Sequence, residues 1–312
     1  MEPSSKPILT VSEQIDFLVN KGVSFNHLTR LKSIEYLTKN NNYFRLTAFR
    51  KNFIKIQNGD DAGKYQGLDF SYLVDLAIID TRMRTLIMEM SLNIEHFAKV
   101  KLLKAITEKG EDGYLVVEDF LNSMPLEFRN KLMNEINRNR SSCYCCDIVN
   151  KYSGCFPAWA FVEIITFGSF VNFYKFCADR FDDEEMKDDF YLFLQVKCIR
   201  NASAHNNCII NDLLSKNASH STRYGVSAAL GKIANISEQI RDTKMGNPRI
   251  QQFVTLLYAH KKIVLSEGVH KHIASKLQEI TKRMFRDYSY SESETVETTF
   301  IYIKNVVDSW FN

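Results

Sequence analysis

The sequence predicts an all-α protein, and three observations support this fold class. Helix-breaking residues are scarce, with 5 Pro and 12 Gly among 312 residues. Leu, Ile, Lys, Glu and Phe are plentiful, within a composition that is 45% hydrophobic and 25% charged, as in a globular protein. Two long stretches repeat apolar residues every three, four or seven positions, which is the spacing of one helix face.

Short helices separated by polar breaks are predicted in the N-terminal region. Thr10-Val-Ser-Glu13 matches a capping box and begins a helix that runs to about Lys21. A second helix is expected over residues 27–40 and ends at three consecutive asparagines, 40–42. A short apolar element follows up to about Ile56, and the Gly- and Asp-rich residues 57–67 predict a loop.

The strongest periodicity follows this loop and predicts one long amphipathic helix. Its apolar stripe consists of Leu73, Leu76, Met83, Ile87, Met90, Ile94 and Phe97. Asp80 stands on this stripe where a leucine is expected, one turn before Arg84. A carboxylate in such a place needs a partner. It either pairs with Arg84 or orders a group of an active site.

The middle of the chain predicts a helix over 125–140, a cysteine-rich loop and a second long stripe. Pro157 suits the first turn of a helix. The stripe after it consists of Trp159, Val162, Thr166, Phe170 and Phe173. Gly168, inside this stripe, is interpreted as a close approach of two helices and not as a break.

The next helix is expected from Asp188 to Asn207, and helical patterns continue at 224–240, 249–265, 269–285 and 296–311. A polar linker is expected at Ser289–Thr295. No Gly-rich phosphate loop, G-x-S-x-G or HExxH motif is found, so nothing supports a nucleotide hydrolase, a serine hydrolase or a zinc protease.

Charge and cysteine content give weaker indications. The net charge of +3 does not by itself indicate a protein that binds nucleic acid. Basic residues nevertheless cluster, for example at Lys99, Lys101 and Lys104. Seven cysteines, a polar Met1–Ser12 and the lack of an apolar run of about 18 residues predict a cytoplasmic, reduced protein without a membrane span. Cys143-Tyr-Cys-Cys146 has the spacing of half a zinc site, but no second pair accompanies it, so no metal is expected.

The segment Arg200-Asn201-Ala202-Ser203-Ala204-His205 carries the most chemistry, and it lies in the last turns of its predicted helix. The guanidinium of arginine is always charged, and its N–H donors are arranged so that two of them can bind one phosphate. Histidine can take and give a proton near neutral pH. Arg200 and His205 are about 140° apart around a helix, whereas Asn201 and His205 share a face.

Four stretches of the chain, within roughly residues 10–210, resemble the bacterial abortive-infection (Abi) proteins of the AbiD/AbiF type, in the same order. They are Asn42-Tyr43-Phe44-Arg45-Leu46, Asp80-x-x-Met83-Arg84 with Ile94-Glu95, Pro157-x-Trp159-x-x-x-Glu163-x-x-x-Phe167-Gly168 and Arg200-Asn201-x-x-x-His205-Asn206. The chain departs from the family pattern at Asn42, Phe44, Ile79 and Thr81.

The resemblance implies an all-α, HEPN-like helical bundle with extra helices at both ends. It divides the chain into an N-terminal helical region (1–67), a catalytic core (68–210) and a C-terminal extension (211–312). It further implies an endoribonuclease toxin that acts in phage defence in the bacterial cytoplasm, with no cofactor. The implied partners are an RNA substrate, a small noncoding antitoxin RNA and a second copy of the chain, because HEPN sites combine an Arg and a His from each subunit.

The resemblance also implies a role for each candidate residue. The ribose 2′-OH would be the nucleophile, His205 the general acid or base, and Arg200 the group that stabilises the transition state. Asn201 would orient the imidazole or hold a phosphate oxygen. The residues expected to hold these groups in place are Glu163, Asp80 and Asn206, and those expected to contact RNA are Arg45, Arg84 and Lys99. The alternative is a non-catalytic module that binds RNA or protein.

Overall fold

The computed structural model describes residues 8–312 and confirms the all-α class. This part of the chain contains fifteen α-helices, two short 3₁₀ segments (Ala48–Asn52 and Asn139–Ser141), two isolated β-bridges and no strand. The helices are α1 Val11–Asn20, α2 Arg30–Lys39, α3 Tyr43–Thr47, α4 Phe70–Glu108, α5 Leu115–Ser123, α6 Leu126–Arg138, α7 Cys146–Lys151, α8 Ala158–Ile164, α9 Phe167–Arg180, α10 Glu184–Ala204, α11 Tyr224–Leu230, α12 Glu238–Met245, α13 Pro248–Ile263, α14 Glu267–Met284 and α15 Glu294–Trp310.

The backbone packs as two compact units, each built from separated segments. Unit 1 contains the described part of Met1–Met88, Asn201–Val254 and Gly268–Asn312, and unit 2 contains Glu89–Arg200 and Thr255–Glu267. Helices α4, α10, α13 and α14 contribute residues to both units, α14 through its first residue alone. The sequence predicts three consecutive regions, whereas these two units are defined by contacts within the backbone. The limits of a catalytic core therefore stay a prediction.

Unit 1 confirms the predicted start of the chain and most of the predicted stripe. The Thr10 side chain accepts a hydrogen bond from the Glu13 N–H while the Glu13 carboxylate accepts one from the Thr10 N–H, which is the expected capping box. On α4 the stripe residues of this unit are buried; they are Leu73, Leu76, Met83 and Ile87. The helix begins at Phe70, three residues before the first residue of the stripe, and Phe70 is buried as well.

A buried charged cluster ties α4 to the C-terminal helices within unit 1. The Asp75 carboxylate accepts hydrogen bonds from the Arg283 guanidinium and from the Tyr290 hydroxyl, the latter at 2.5 Å. The Tyr290 ring lies 5.8 Å from the Tyr72 ring, which itself contacts Tyr288. Charges with such partners are tolerated in a core, and they fix the register of the helices that carry them.

Unit 2 is organised around aromatic rings and one buried carboxylate. Phe173 contacts Phe161 and Phe120 with ring centroids 5.2 and 5.0 Å apart. The fully buried Asp189 accepts hydrogen bonds from the Lys101 and Lys262 ammonium groups, both at 2.7 Å. Lys101, which belongs to the basic cluster at 99–104, therefore pairs with a buried carboxylate within unit 2.

The second long stripe was predicted as one continuous helix, and this is wrong. The chain breaks at Ile165, and Thr166 begins a new helix because its hydroxyl accepts a hydrogen bond from the Ser169 N–H. Gly168 lies in the first turn of α9, where an added Cβ would make only ordinary contacts, the nearest with Lys197 at 3.6 Å. The close helix approach expected at Gly168 is therefore wrong.

Two further expectations differ from the structure. Trp159 is not part of the core, since 50% of it is exposed, and its ring lies against Gly113, where an added Cβ would come within 2.7 Å of the indole. The helix expected over 224–240 is two helices, because α11 ends at Leu230 with Gly231 as its C-cap, and α12 starts after the Ser237 cap.

None of the helices in residues 8–312 is both long and apolar enough to cross a bilayer. Within the same residues, no group of three or more His, Cys, Asp or Glu side chains is arranged to hold a metal ion. The four clustered cysteines have free thiols; they are Cys143, Cys145, Cys146 and Cys155.

Candidate functional site

The C-terminal end of α10 forms a Schellman motif that presents His205. The Asn207 N–H donates to the Ala202 carbonyl at 2.8 Å, and the Asn206 N–H donates to the Ser203 carbonyl at 3.0 Å. His205 is thus the C-cap residue. Asn206 adopts φ 57°, the left-handed conformation that asparagine tolerates better than most residues. Both side chains are exposed, so the helix ends in a fixed turn with its imidazole in solvent.

The chain after this turn is held by Asp80, which is fully buried. One carboxylate oxygen accepts the N–H groups of Ile209 and Ile210 at 2.6 and 3.1 Å. The other pairs with the Arg84 guanidinium one turn further along α4. Asp80 therefore pairs with Arg84, which is one of the two roles that the sequence left open, and it also holds the backbone that follows the motif. The other role, the ordering of an active-site group, stays a prediction.

Burial dominates the electrostatics of this pair. It raises the pKa of the Asp80 carboxyl above its ordinary value, while Arg84 and the two backbone N–H groups act in the opposite direction. The same desolvation lowers the pKa of Arg84 and raises that of the nearby Cys208 thiol. Three N–H donors face the carboxyl oxygens, and an ionised carboxylate suits this arrangement best because it only accepts hydrogen bonds.

A second buried side chain, that of Asn52, fastens the same segment. Its amide NH₂ donates to the Ile210 carbonyl at 2.8 Å, and its carbonyl oxygen accepts the Leu213 N–H at 3.0 Å. Together with Asp80, these bonds satisfy three N–H groups and one carbonyl of 209–213, a segment without regular structure. The position of the exposed turn at His205 is set by this attachment.

Beside the turn, unit 1 contains an open cleft with a volume of about 820 Å³. Its walls are the end of α2 with the following asparagines, the start of α3, one side of α4 and Asn206. The lining residues are Tyr36, Leu37, Thr38, Lys39, Asn40, Asn41, Asn42, Arg45, Ala77, Ile78, Thr81, Arg82, Arg84 and Asn206. His205 immediately precedes Asn206, so its Cα lies about 3.8 Å from that of a lining residue.

The charges of the cleft have one sign. Arg45 and Arg82 line it and form no ion pair within residues 8–312, whereas Lys39 pairs with Glu35 and Arg84 with Asp80. No carboxylate is among the lining residues. Unpaired guanidinium groups in a concave site attract phosphates and can bind them through two parallel hydrogen bonds.

Asparagine side chains add neutral donors and acceptors to the cleft. The Asn42 side chain caps α3 by accepting the Arg45 N–H at 2.9 Å, and the Asn41 side chain accepts the Asn42 N–H at 2.9 Å. These bonds fix the turn from which Arg45 projects. The cleft can therefore offer charged and neutral polar groups to a ligand with a phosphate backbone and polar bases.

Comparison with known families places this cleft in context. A family model described as Abi-like protein matches residues 35–211, which is more than half of the chain and includes every residue that lines the cleft. The chain belongs to the Abi-like protein family. No curated protein and no solved structure matches it.

In this Abi-like protein, three of the four resembling stretches meet in unit 1. Arg45 and Arg84 line the cleft, Asp80 lies beneath it, and Asn206 joins it to the end of α10. Arg84 is 5% exposed, so only a small part of its surface is open to a ligand. Asn201 is exposed and its carbonyl accepts the His205 N–H at 3.0 Å.

The remaining candidates belong to unit 2. Lys99 lies between two carboxylates, with its ammonium 3.4 Å from Glu95 and 3.5 Å from Glu163. Arg200, the last residue of this unit on α10, is partly exposed. The roles proposed for Glu163, Lys99 and Arg200 stay predictions.

Sequence reasoning missed several residues of the cleft. The run Asn40-Asn41-Asn42 predicts only a helix break, and Arg82 belongs to none of the motifs found in the sequence. A signal was present: Ile78 and Arg82 are four residues apart on α4 and both are exposed, which marks a helix face that the core does not use. Nothing in the sequence alone connected that face with the end of α2.

Proposed function

We propose that this Abi-like protein is a HEPN-type endoribonuclease that acts as a toxin in phage defence. Membership of the family supports an abortive-infection role. The observation that carries the nuclease proposal is the cleft with two unpaired arginines and no carboxylate, next to the exposed His205. We further propose that the protein acts in the bacterial cytoplasm.

The chemistry proposed for the site needs no metal ion or cofactor. His205, as a neutral imidazole, removes the proton of a ribose 2′-OH, whose oxygen attacks the adjacent phosphorus. The P–O5′ bond breaks, the 5′-oxygen leaves with a proton from the acid form of a histidine, and a 2′,3′-cyclic phosphate remains. Arg200 stabilises the negative charge of the pentacoordinate transition state, and Asn201 holds a phosphate oxygen.

A composite site in a dimer fits the helix geometry. Arg200 and His205 are about 140° apart around α10, so the two side chains of one motif diverge. Two motifs related by a two-fold axis bring an arginine and a histidine together on one phosphate. Light scattering of the active protein should therefore give at least a dimer, and a monomer with full activity would contradict this part of the proposal.

The decisive experiment follows the fate of a labelled RNA. Wild-type protein should cut it equally well with and without EDTA, leave cyclic phosphate ends, and spare DNA of the same sequence. His205→Ala should lower the rate of RNA cleavage by a factor of about 10² to 10⁴. His220→Ala is the matched control, because His220 is also an exposed loop histidine and is outside the proposed site. Cleavage by His205→Ala at the wild-type rate would refute the proposal.

A non-catalytic binding module is the second candidate, and one observation favours it. The His205 side chain has no hydrogen-bond partner within residues 8–312, so a single chain does not orient its imidazole. In a binding module the cleft would hold RNA, such as a small antitoxin RNA, without cutting it. RNA that copurifies and stays intact for hours with the dimeric protein would favour this candidate, whereas RNA released with new cyclic ends would favour the nuclease.

A further inference from the structure

The cleft beside the His205-bearing turn has an apolar wall as well as cationic groups. Four apolar or aromatic side chains are among its lining residues: Tyr36, Leu37, Ala77 and Ile78. Leu37 and Ala77 are buried in the core, whereas Tyr36 is partly exposed and Ile78 is 38% exposed. Phosphate groups gain nothing from contact with an apolar surface, so a ligand that matches the whole cleft also has an apolar part.

The helices place these two side chains beside polar ones. Tyr36 on α2 is four residues before Asn40, and Ile78 on α4 is four residues before Arg82, so each pair shares one helix face. All four residues line the cleft. Each of the two helices therefore presents an apolar group and, one turn further on, a polar group. A nucleotide has the same two parts, a flat base and a charged phosphate.

The Tyr36 ring and one of the two unpaired cations share the same part of the cleft. The Asn40 and Asn41 N–H groups donate to the Tyr36 carbonyl at 2.8 and 3.2 Å, which fixes the backbone that carries the ring. The Asn41 side chain interacts with the Tyr36 hydroxyl, and Arg45 is close enough to act on that hydroxyl electrostatically. A base that lies on this ring therefore has a guanidinium within reach of its phosphate.

We infer that the cleft holds an unpaired base of an RNA strand against Tyr36 and Ile78, while Arg45 and Arg82 bind phosphates of the same strand. Bases stack on aromatic rings, and only a base that is not already stacked and paired in a double helix can do so. Two unpaired cations on different helices, α3 and α4, match more than one phosphate, which favours a strand over a free nucleotide.

This inference rests on the proposed function, because it takes RNA as the ligand. It assigns a base-binding position to two residues, Tyr36 and Ile78, that have no part in the proposed chemistry. The position also accounts for the apolar wall, which phosphate binding alone leaves uncovered.

Fluorescence anisotropy of labelled strands tests the inference, with His205→Ala as the parent protein so that no strand is cut. A single-stranded RNA of about 12 nucleotides should bind at least about tenfold more tightly than an abasic strand of the same length, which has the same charge and no bases. Adenosine monophosphate should displace the labelled strand far less well than an unlabelled strand does.

Tyr36→Leu, made in the parent protein, removes the ring and keeps an apolar side chain. It should weaken binding of the single strand by about five- to hundredfold and leave binding of the abasic strand and of a duplex unchanged. Tyr36→Phe keeps the ring and should bind like the parent. Ile78→Ser should weaken the single strand by about threefold or more. Because Ile78 is partly exposed, this variant decides the question if Tyr36→Leu does not fold.

Tyr224→Leu is the matched control, because Tyr224 is an exposed tyrosine of unit 1 that does not line the cleft. It should bind all strands like the parent. Equal binding of the single and abasic strands, displacement by adenosine monophosphate as by a strand, or unchanged binding by folded Tyr36→Leu or Ile78→Ser would overturn the base-binding position. Equal binding would leave the proposed function standing, with RNA held through its phosphates alone. A parent protein that binds no strand would contradict the proposed function and this inference together.

Discussion

Replacing Asp80 by asparagine should destabilise the protein more than any exposed charge change. The carboxylate is fully buried, pairs with Arg84 and accepts the N–H groups of Ile209 and Ile210. Asparagine has nearly the same shape, and its remaining oxygen can still accept from both N–H groups. What it removes is the charge opposite Arg84, which is left buried without a counter-ion.

The expected loss follows from this geometry. Breaking one side of a buried pair typically costs about 3–5 kcal/mol. Asp80→Ala should lose a further 1–3 kcal/mol or so, because two buried N–H groups then lack their acceptor. The double variant Asp80→Asn with Arg84→Met should recover a large part of the loss, since it no longer leaves a cation unpaired.

Urea unfolding followed by circular dichroism and by tryptophan fluorescence measures these differences, and the two signals test whether the transition is two-state. The matched control is Glu35→Gln, because Glu35 and Lys39 form a pair with the same i, i+4 spacing on the surface. That change should cost less than about 1 kcal/mol. If Asp80→Asn is equally mild, the carboxylate does not anchor the segment after the motif, and the reasoning is refuted.

Three other predictions test separate features. Asn206→Gly should keep the Schellman turn, whereas Asn206→Val should cost about 1–2 kcal/mol of unfolding free energy because φ is positive there; equal stabilities would contradict the turn. Arg45→Gln and Arg82→Gln should each lower the salt slope of RNA binding by about 0.7, and unchanged slopes would remove the cleft as the RNA site. The folded-state pKa of Lys244, about 8, lies below its ordinary 10.5, so between these values the unfolded chain holds more protons. Wild-type stability should therefore rise relative to Lys244→Met as the pH increases from 8 towards 10, and a constant difference would show that the ammonium is not desolvated.

The features that the sequence could predict are those that depend on neighbouring residues. The long helix α4 is visible because its stripe repeats along one segment, and the Asp80–Arg84 pair is visible because the two residues are one turn apart. The capping box at Thr10 is equally local. The position of the motif at the end of α10 follows from the apolar run before it and the asparagines after it.

The features that could not be predicted depend on contacts between distant segments. The helix breaks before Thr166 because the Thr166 side chain caps a new helix there. The apolar pattern continues across this break, so periodicity alone does not predict it. The cleft combines residues 36–45, 77–84 and 206, so no window of sequence contains it. A second cavity, lined by Lys244 and Tyr302, lies between α12 and α15, and these two residues are almost sixty positions apart in the sequence, so no local pattern predicts it.

The way in which residues 209–215 are fastened limits how this protein can be divided. Asn52 and Asp80 hold 209–213 from the N-terminal side, while the Asn247 amide donates to the carbonyls of Asp212 and Ser215 at 3.0 and 2.9 Å. Asn52 is itself fixed, because its backbone carbonyl accepts a hydrogen bond from the Ser293 hydroxyl at 2.8 Å. A fragment limited to the family match, 35–211, would lose Asn247 and Ser293 together. The region matched by the family model therefore depends in this chain on contacts from outside it, and residues 212–312 contribute to the scaffold that keeps the histidine-bearing turn in place.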